Sequence, residues 1–237
     1  MSQIIVNNPL LNAVRLVHSG GVGDGLMLSS VIKEKYCKEY DMVYLDVQQG
    51  GLIPLFKVLY NDTENIQFGT GAEHNTVRLN FIDGVEGPNW REMTWNRRFD
   101  EENRLYNNLV NEVGKDYIIV HERPRDNVGR GMYPINRNYF ENESLPVVNV
   151  HLREGHIMDY SKILQNAKEI HVYEGSFMNL TDAIVDGSKV PLYGHLYCKQ
   201  HYFDKNMIHH QIIEYIKAGK WHKNNWNYLW EISETLI

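Results

Sequence analysis

A strand candidate, Ala13-Val14-Arg15-Leu16-Val17, leads through Gly20-Gly21-Val22-Gly23-Asp24-Gly25 into a helical pattern, Leu26-Met27-Leu28-Ser29-Ser30-Val31-Ile32. This order constrains the fold more than any other stretch. Glycines let the chain turn sharply and let a ligand approach the backbone. The helix that follows directs free N–H groups and a positive dipole end at the same space. Asp24 places a carboxylate there with no basic residue beside it in sequence, where a strand's carboxyl end meets substrate in many α/β proteins.

The same alternation continues along the chain. Strands are expected at 42–47, 65–68 and 76–81, with helices at 25–40, 52–60 and 100–113. Residues 83–98 read as irregular. The pattern restarts with strands at 117–121, 145–151, 169–173 and 190–193 and short helices at 160–164 and 177–185, and the end, 206–236, reads as helical. Short strands alternating with helices predict an α/β architecture with parallel sheets. Gly114-Lys115-Asp116 marks a break between two similar halves, 1–115 and 116–237.

Bulk properties narrow the class. Of the 237 residues 43% are hydrophobic, enough for a sizeable core and against global disorder. No apolar run approaches ~20 residues, so no membrane span is expected. The first residues, Met1-Ser2-Gln3, lack the basic start and long apolar centre of a secretory signal. Cys37 and Cys198 build no disulfide framework, and a cytoplasmic location is expected. A net charge of −6 argues against a generally basic nucleic-acid binder while leaving room for a local basic face.

Three segments, in order, suggest a family. The first is the strand–Gly-Val-Gly-Asp24–helix turn. The second is the strand ending at His121, followed by Glu122-Arg123-Pro124-Arg125-Asp126-Asn127. The third runs from Tyr160-Ser161-Lys162-Ile163-Leu164 to Tyr193-Gly194. Together they resemble a shortened GT-B glycosyltransferase of the bacterial heptosyltransferase type. That family usually carries Asp-Thr-Gly-x-x-His in the third segment, where this chain has Glu174-Gly175-Ser176-Phe177-Met178-Asn179. The resemblance implies two Rossmann-like domains facing across a cleft, the first on the acceptor side and the second holding a nucleotide diphosphate sugar. It further implies inverting transfer to an acceptor hydroxyl, with no catalytic metal and no cofactor beyond the donor.

Such a reaction needs a base for the hydroxyl proton and groups that stabilise the leaving phosphate. By resemblance Asp24 is the base; the alternative is that it only satisfies backbone donors of the helix that follows. Gly23 and Gly25 bring the backbone close to the donor. Arg123, Arg125 and Arg130 either clamp the diphosphate bidentately or lie in a solvated loop. Gly175 and Ser176 offer N–H groups and a hydroxyl to phosphate, and Glu174 accepts from ribose or sugar hydroxyls. Trp90, Arg91, Trp95, Arg97 and Arg98 mix rings with cations, which suits an acceptor saccharide or DNA carrying a hydroxymethylated base; core packing of the tryptophans is the alternative. His121 ends a strand and reads as structural. His195, Cys198 and His201 have metal-ligand types but no second cluster to complete a set. A nucleotide-sugar epimerase and a non-catalytic nucleotide-binding or assembly protein remain the competing readings.

Overall fold

Val14, Leu16, Val43 and Leu45 have no exposed surface, and they alternate along two neighbouring strands in register, which puts all four on one buried face of the sheet. The computed structural model describes residues 12–71, 75–122, 133–140, 144–207 and 209–230. By contacts the chain divides into two units, Met1–Asn96 and Arg97–Ile237.

In the first unit the elements run β1 (Ala13–His18), α1 (Val22–Val31), a π-helical turn (Ile32–Tyr36), α2 (Cys37–Glu39), β2 (Met42–Val47), α3 (Ile53–Leu59), β3 (Ile66–Phe68), β4 (Thr76–Arg78) and α4 (Phe81–Glu86). The four strands form a parallel sheet in the order β3-β2-β1-β4. The chain builds outward from β1 to β3, then returns to add β4 on the other side. The order therefore reverses between β1 and β4, and the glycine turn after β1 opens at that point. α1 packs against α3 and α4. The approach to α4 is close: a Cβ on Gly84 would stand 2.7 Å from the Met27 carbonyl.

The second unit begins with α5 (Phe99–Val113), then β5 (Ile118–His121), β6 (Val147–Asn149), α6 (Ser161–Asn166), β7 (Glu169–Val172), α7 (Ser176–Ile184), β8 (Leu192–His195), α8 (His210–Lys217) and β9 (Asn227–Leu229). Its sheet is also parallel, in the order β6-β5-β7-β8-β9. Here the order reverses between β5 and β7.

Several expectations change. The first helix starts at Val22, so Asp24 belongs to its first turn instead of the loop before it. β4 stops at Arg78 because Asn80 caps α4: its side chain accepts from Ile82 N–H at 3.4 Å. Residues 206–236 were expected to be helical, but after α8 the chain forms the edge strand β9. The break expected near 115 follows α5, whereas α5 groups with the second unit. It packs on α6 and on the turn at 157–160, burying Leu105 and Leu109.

Candidate functional site at the two sheet switch points

Ligands of open parallel sheets bind beyond the strands' carboxyl ends, where strand order reverses. Each unit has one such place.

In the first unit, Asp24 Oδ2 accepts the Gly21 N–H at 2.8 Å, the reach-back of an acid at the third helical position. A Cβ on Gly20 would come within 2.8 Å of Asp24 Cβ and Cγ, so glycine there makes room for this carboxylate. Gly25 is glycine for another reason: an added Cβ would overlap the Phe56 ring. Gly23 lies half-buried in the same turn. His18 ends β1 beneath it, buried, with its ring 4.9 Å from that of Phe56 and its Nε2 3.3 Å from the Gly21 carbonyl oxygen. Burial pushes the imidazole below its ordinary value, against the pull of the Gly21 carbonyl and the Asp24 charge. At the start of α4, Asp83 Oδ2 accepts the Asn80 N–H at 2.9 Å in the same relation. Capping geometry therefore does not by itself single out Asp24.

In the second unit the reversal lies between Glu122, after β5, and Glu174-Gly175-Ser176, after β7. Glu122 braces the segment at 133–140: it accepts from Ile135 N–H at 3.1 Å and pairs with Arg137 at 2.8 Å. Asn149, from the end of β6, holds the Glu122 backbone on both sides, at 3.3 and 3.1 Å. Glu174 is buried and paired with Lys199 at 2.9 Å. The same ammonium donates to Tyr202 Oη at 2.8 Å and sits over the Tyr173 and Tyr202 rings. Burial pushes the Glu174 carboxyl up. Lys199, Tyr202 and His222 pull it down further, and the net result lies below the usual carboxylate range. Gly175 adopts φ +156° at the N-cap of α7, a conformation that side chains rarely take. Ser176 follows as the first helical residue, half-buried. Lys199 enters this site from the end of β8, the strand next to β7. In sequence it lies between His195 and His201 with no acid beside it, and its pairing with Glu174 follows only from strand order.

The remaining expected site residues that the structure describes have other surroundings. Arg123, Arg125 and Arg130 lie outside the described residues. Trp90 and Trp95 are buried in the first unit, as core packing of these rings requires, and Arg91 is half-buried. Arg97 and Arg98 belong to the second unit, where Arg97 pairs with buried Glu102 and Arg98 with buried Asp159, through Nε at 2.8 and 3.0 Å. These two guanidiniums are engaged within their own unit. His121 is enclosed by the rings of Phe177 at 4.1 Å, Tyr173 at 4.9 Å and His151 at 5.5 Å.

A second cluster crosses the sheet of the second unit. His171 Nε2 contacts the Glu169 carboxylate, and His171 Nδ1 lies 2.9 Å from His195 Nε2. His195 Nδ1 lies 3.1 Å from Tyr197 Oη, which accepts Asn136 N–H at 2.8 Å. Beside an ionised Glu169, hydrogen-bond logic fixes the protons: His171 donates to Glu169 and accepts from His195, and His195 accepts from the tyrosine hydroxyl. Burial pushes both imidazoles down, His195 to about 3. Both His195 nitrogens are thereby committed, which removes the first member of the His195–His201 ligand spacing.

Among the described residues no helix is long and apolar enough to cross a membrane. The chain matches no protein-family model, no curated protein and no solved structure.

Proposed function

We propose that the protein is an inverting, metal-independent glycosyltransferase of GT-B type that moves a sugar from a nucleotide diphosphate sugar to an acceptor hydroxyl. One observation carries this reading. Two parallel sheets each reverse strand order at a glycine-containing turn that opens a helix, and each turn holds an acid. In the proposed reaction the acceptor oxygen attacks the anomeric carbon and Asp24 takes its proton as the new bond forms. The bond from that carbon to the diphosphate oxygen breaks, and the leaving group carries away the electron pair. The N–H groups at the start of α7, the Lys199 ammonium and the arginines at 123, 125 and 130 offset the developing charge. The acceptor is a saccharide or a hydroxymethylated base in DNA.

The likeness between Asp24 and Asp83 favours a second reading, a nucleotide-binding protein without catalysis. A thermal-shift screen over UDP, GDP, CDP, ADP and their sugars identifies a nucleotide ligand by its stabilisation of the fold. Donor consumption by wild type and Asp24→Asn then separates the readings. The transferase predicts that the variant turns over at least about 100-fold more slowly while nucleotide stabilisation is kept. Nucleotide binding with no donor consumed by either protein supports the second reading, and conversion of the donor to its epimer identifies an epimerase.

A further inference from the structure

We propose that His18 is the positioning residue for Asp24, acting through the Gly21 peptide. This rests on the reading of Asp24 as the base. A carbonyl oxygen only accepts, so His18 Nε2, 3.3 Å from the Gly21 oxygen, carries the proton and donates it. Gly21 in turn gives its own N–H to Asp24 Oδ2 at 2.8 Å. One residue of the turn is thus held by a buried ring on its carbonyl side and holds the carboxylate on its amide side. The ring has little freedom, because it is 2% exposed and lies against Phe56, which also closes on Gly25. At the start of α4 the parallel acid, Asp83, accepts from Asn80, whose own amide oxygen braces that turn by accepting from Ile82 N–H. A histidine is the feature specific to the Asp24 turn. Asp24 is the charged group that acts on the imidazole, and burial keeps the ring neutral near pH 7.

His18→Met removes the donor and keeps an apolar filling. His18→Gln keeps a donor at similar reach. NMR reads the exchange rate of the Gly21 amide and the titration midpoint of the Asp24 carboxyl, and neither measurement needs catalysis. In the Met variant Gly21 exchange should rise about 10-fold and the Asp24 midpoint should move up by about one pH unit, as the Gly21 N–H that the carboxylate accepts from is held less firmly. Both should return most of the way in the Gln variant. Donor consumption should fall about 10-fold in kcat at unchanged KM in the Met variant alone. If that variant does not fold, His18→Asn, whose shorter amide stops short of the carbonyl, gives the same comparison. Unchanged Gly21 exchange and Asp24 titration in the donor-lacking variant overturn the proposal. Absence of donor consumption by wild type defeats the transferase reading instead, and the two NMR measurements still decide the role of His18.

Discussion

At Gly25 the lack of a side chain serves packing: the Phe56 ring occupies the place of a Cβ, and the His18 ring lies on Phe56 in turn. Gly25→Ala should therefore cost about 1–3 kcal/mol, the usual penalty for overfilling a dense interior. Urea unfolding measures it. Trimming the partner supplies the control, because Phe56→Leu should restore part of the loss when combined with Gly25→Ala. Additive losses in the double variant would show that the glycine is needed for some other reason. Gly20 differs, since its neighbour is the Asp24 carboxylate itself. Two glycines of one motif thus answer to different constraints, one to a ring in the core and one to the acid at the switch point.

Among the elements, short strands rich in Val, Ile and Leu were legible in the sequence: β1, β2, β5 and β7 lie where 13–17, 42–47, 117–121 and 169–173 placed them, within a residue at each end. β9 was not, because Asn227-Tyr228-Leu229 is short and carries little strand signal. Contacts 40 or more residues away in sequence fix the loop before it: Asp182 accepts the backbone N–H of Lys223 and Asn224 and the indole N–H of Trp226, at 2.9, 3.0 and 3.0 Å. The same limit applied to the site. Asp24 and Glu174 stood out beside their glycines, but Lys199 reaches Glu174 only because β8 lies next to β7, and Arg98 was read with Trp95 although its partner, Asp159, lies 61 residues on. The histidines of β7 and β8 were likewise invisible as a pair. Their burial makes a pH prediction. Folded, His171 and His195 resist protonation; unfolded, both take up protons near pH 6.5. Stability should be unaffected by this pair above that pH and should fall as pH drops below it. His195 alone should remove on the order of 2 kcal/mol by pH 5. Chemical unfolding at pH 7.5 and pH 5 checks this, with His195→Gln as the comparison; an equal acid loss in that variant would assign the effect to other groups.

At the scale of the whole molecule, the question is where one folding unit ends and the next begins. A break at Gly114-Lys115-Asp116 looks natural in sequence, since Gly114 at φ +90° ends a long helix. The charges of that helix and its approach argue for an earlier boundary. Arg97 meets Glu102, Arg98 meets Asp159, Lys162 meets Asn103 at 2.6 Å and Arg153 meets Glu112 at 2.8 Å, all within the second unit. Asp159 is almost wholly buried, so a cut that takes Arg98 would strand its carboxylate, at a cost of about 3–5 kcal/mol. Cutting away 97–115 would also expose the apolar face that covers Leu105 and Leu109. A fragment spanning 97–237 should therefore unfold cooperatively in urea, whereas one spanning 116–237 should show no cooperative transition or a midpoint lowered by at least about 1 M. If nucleotide diphosphate binds the second unit as proposed, the longer fragment should also keep the thermal stabilisation by that ligand. Equal, cooperative unfolding of both fragments would return the boundary to Gly114 and reduce α5 to an accessory of the second unit.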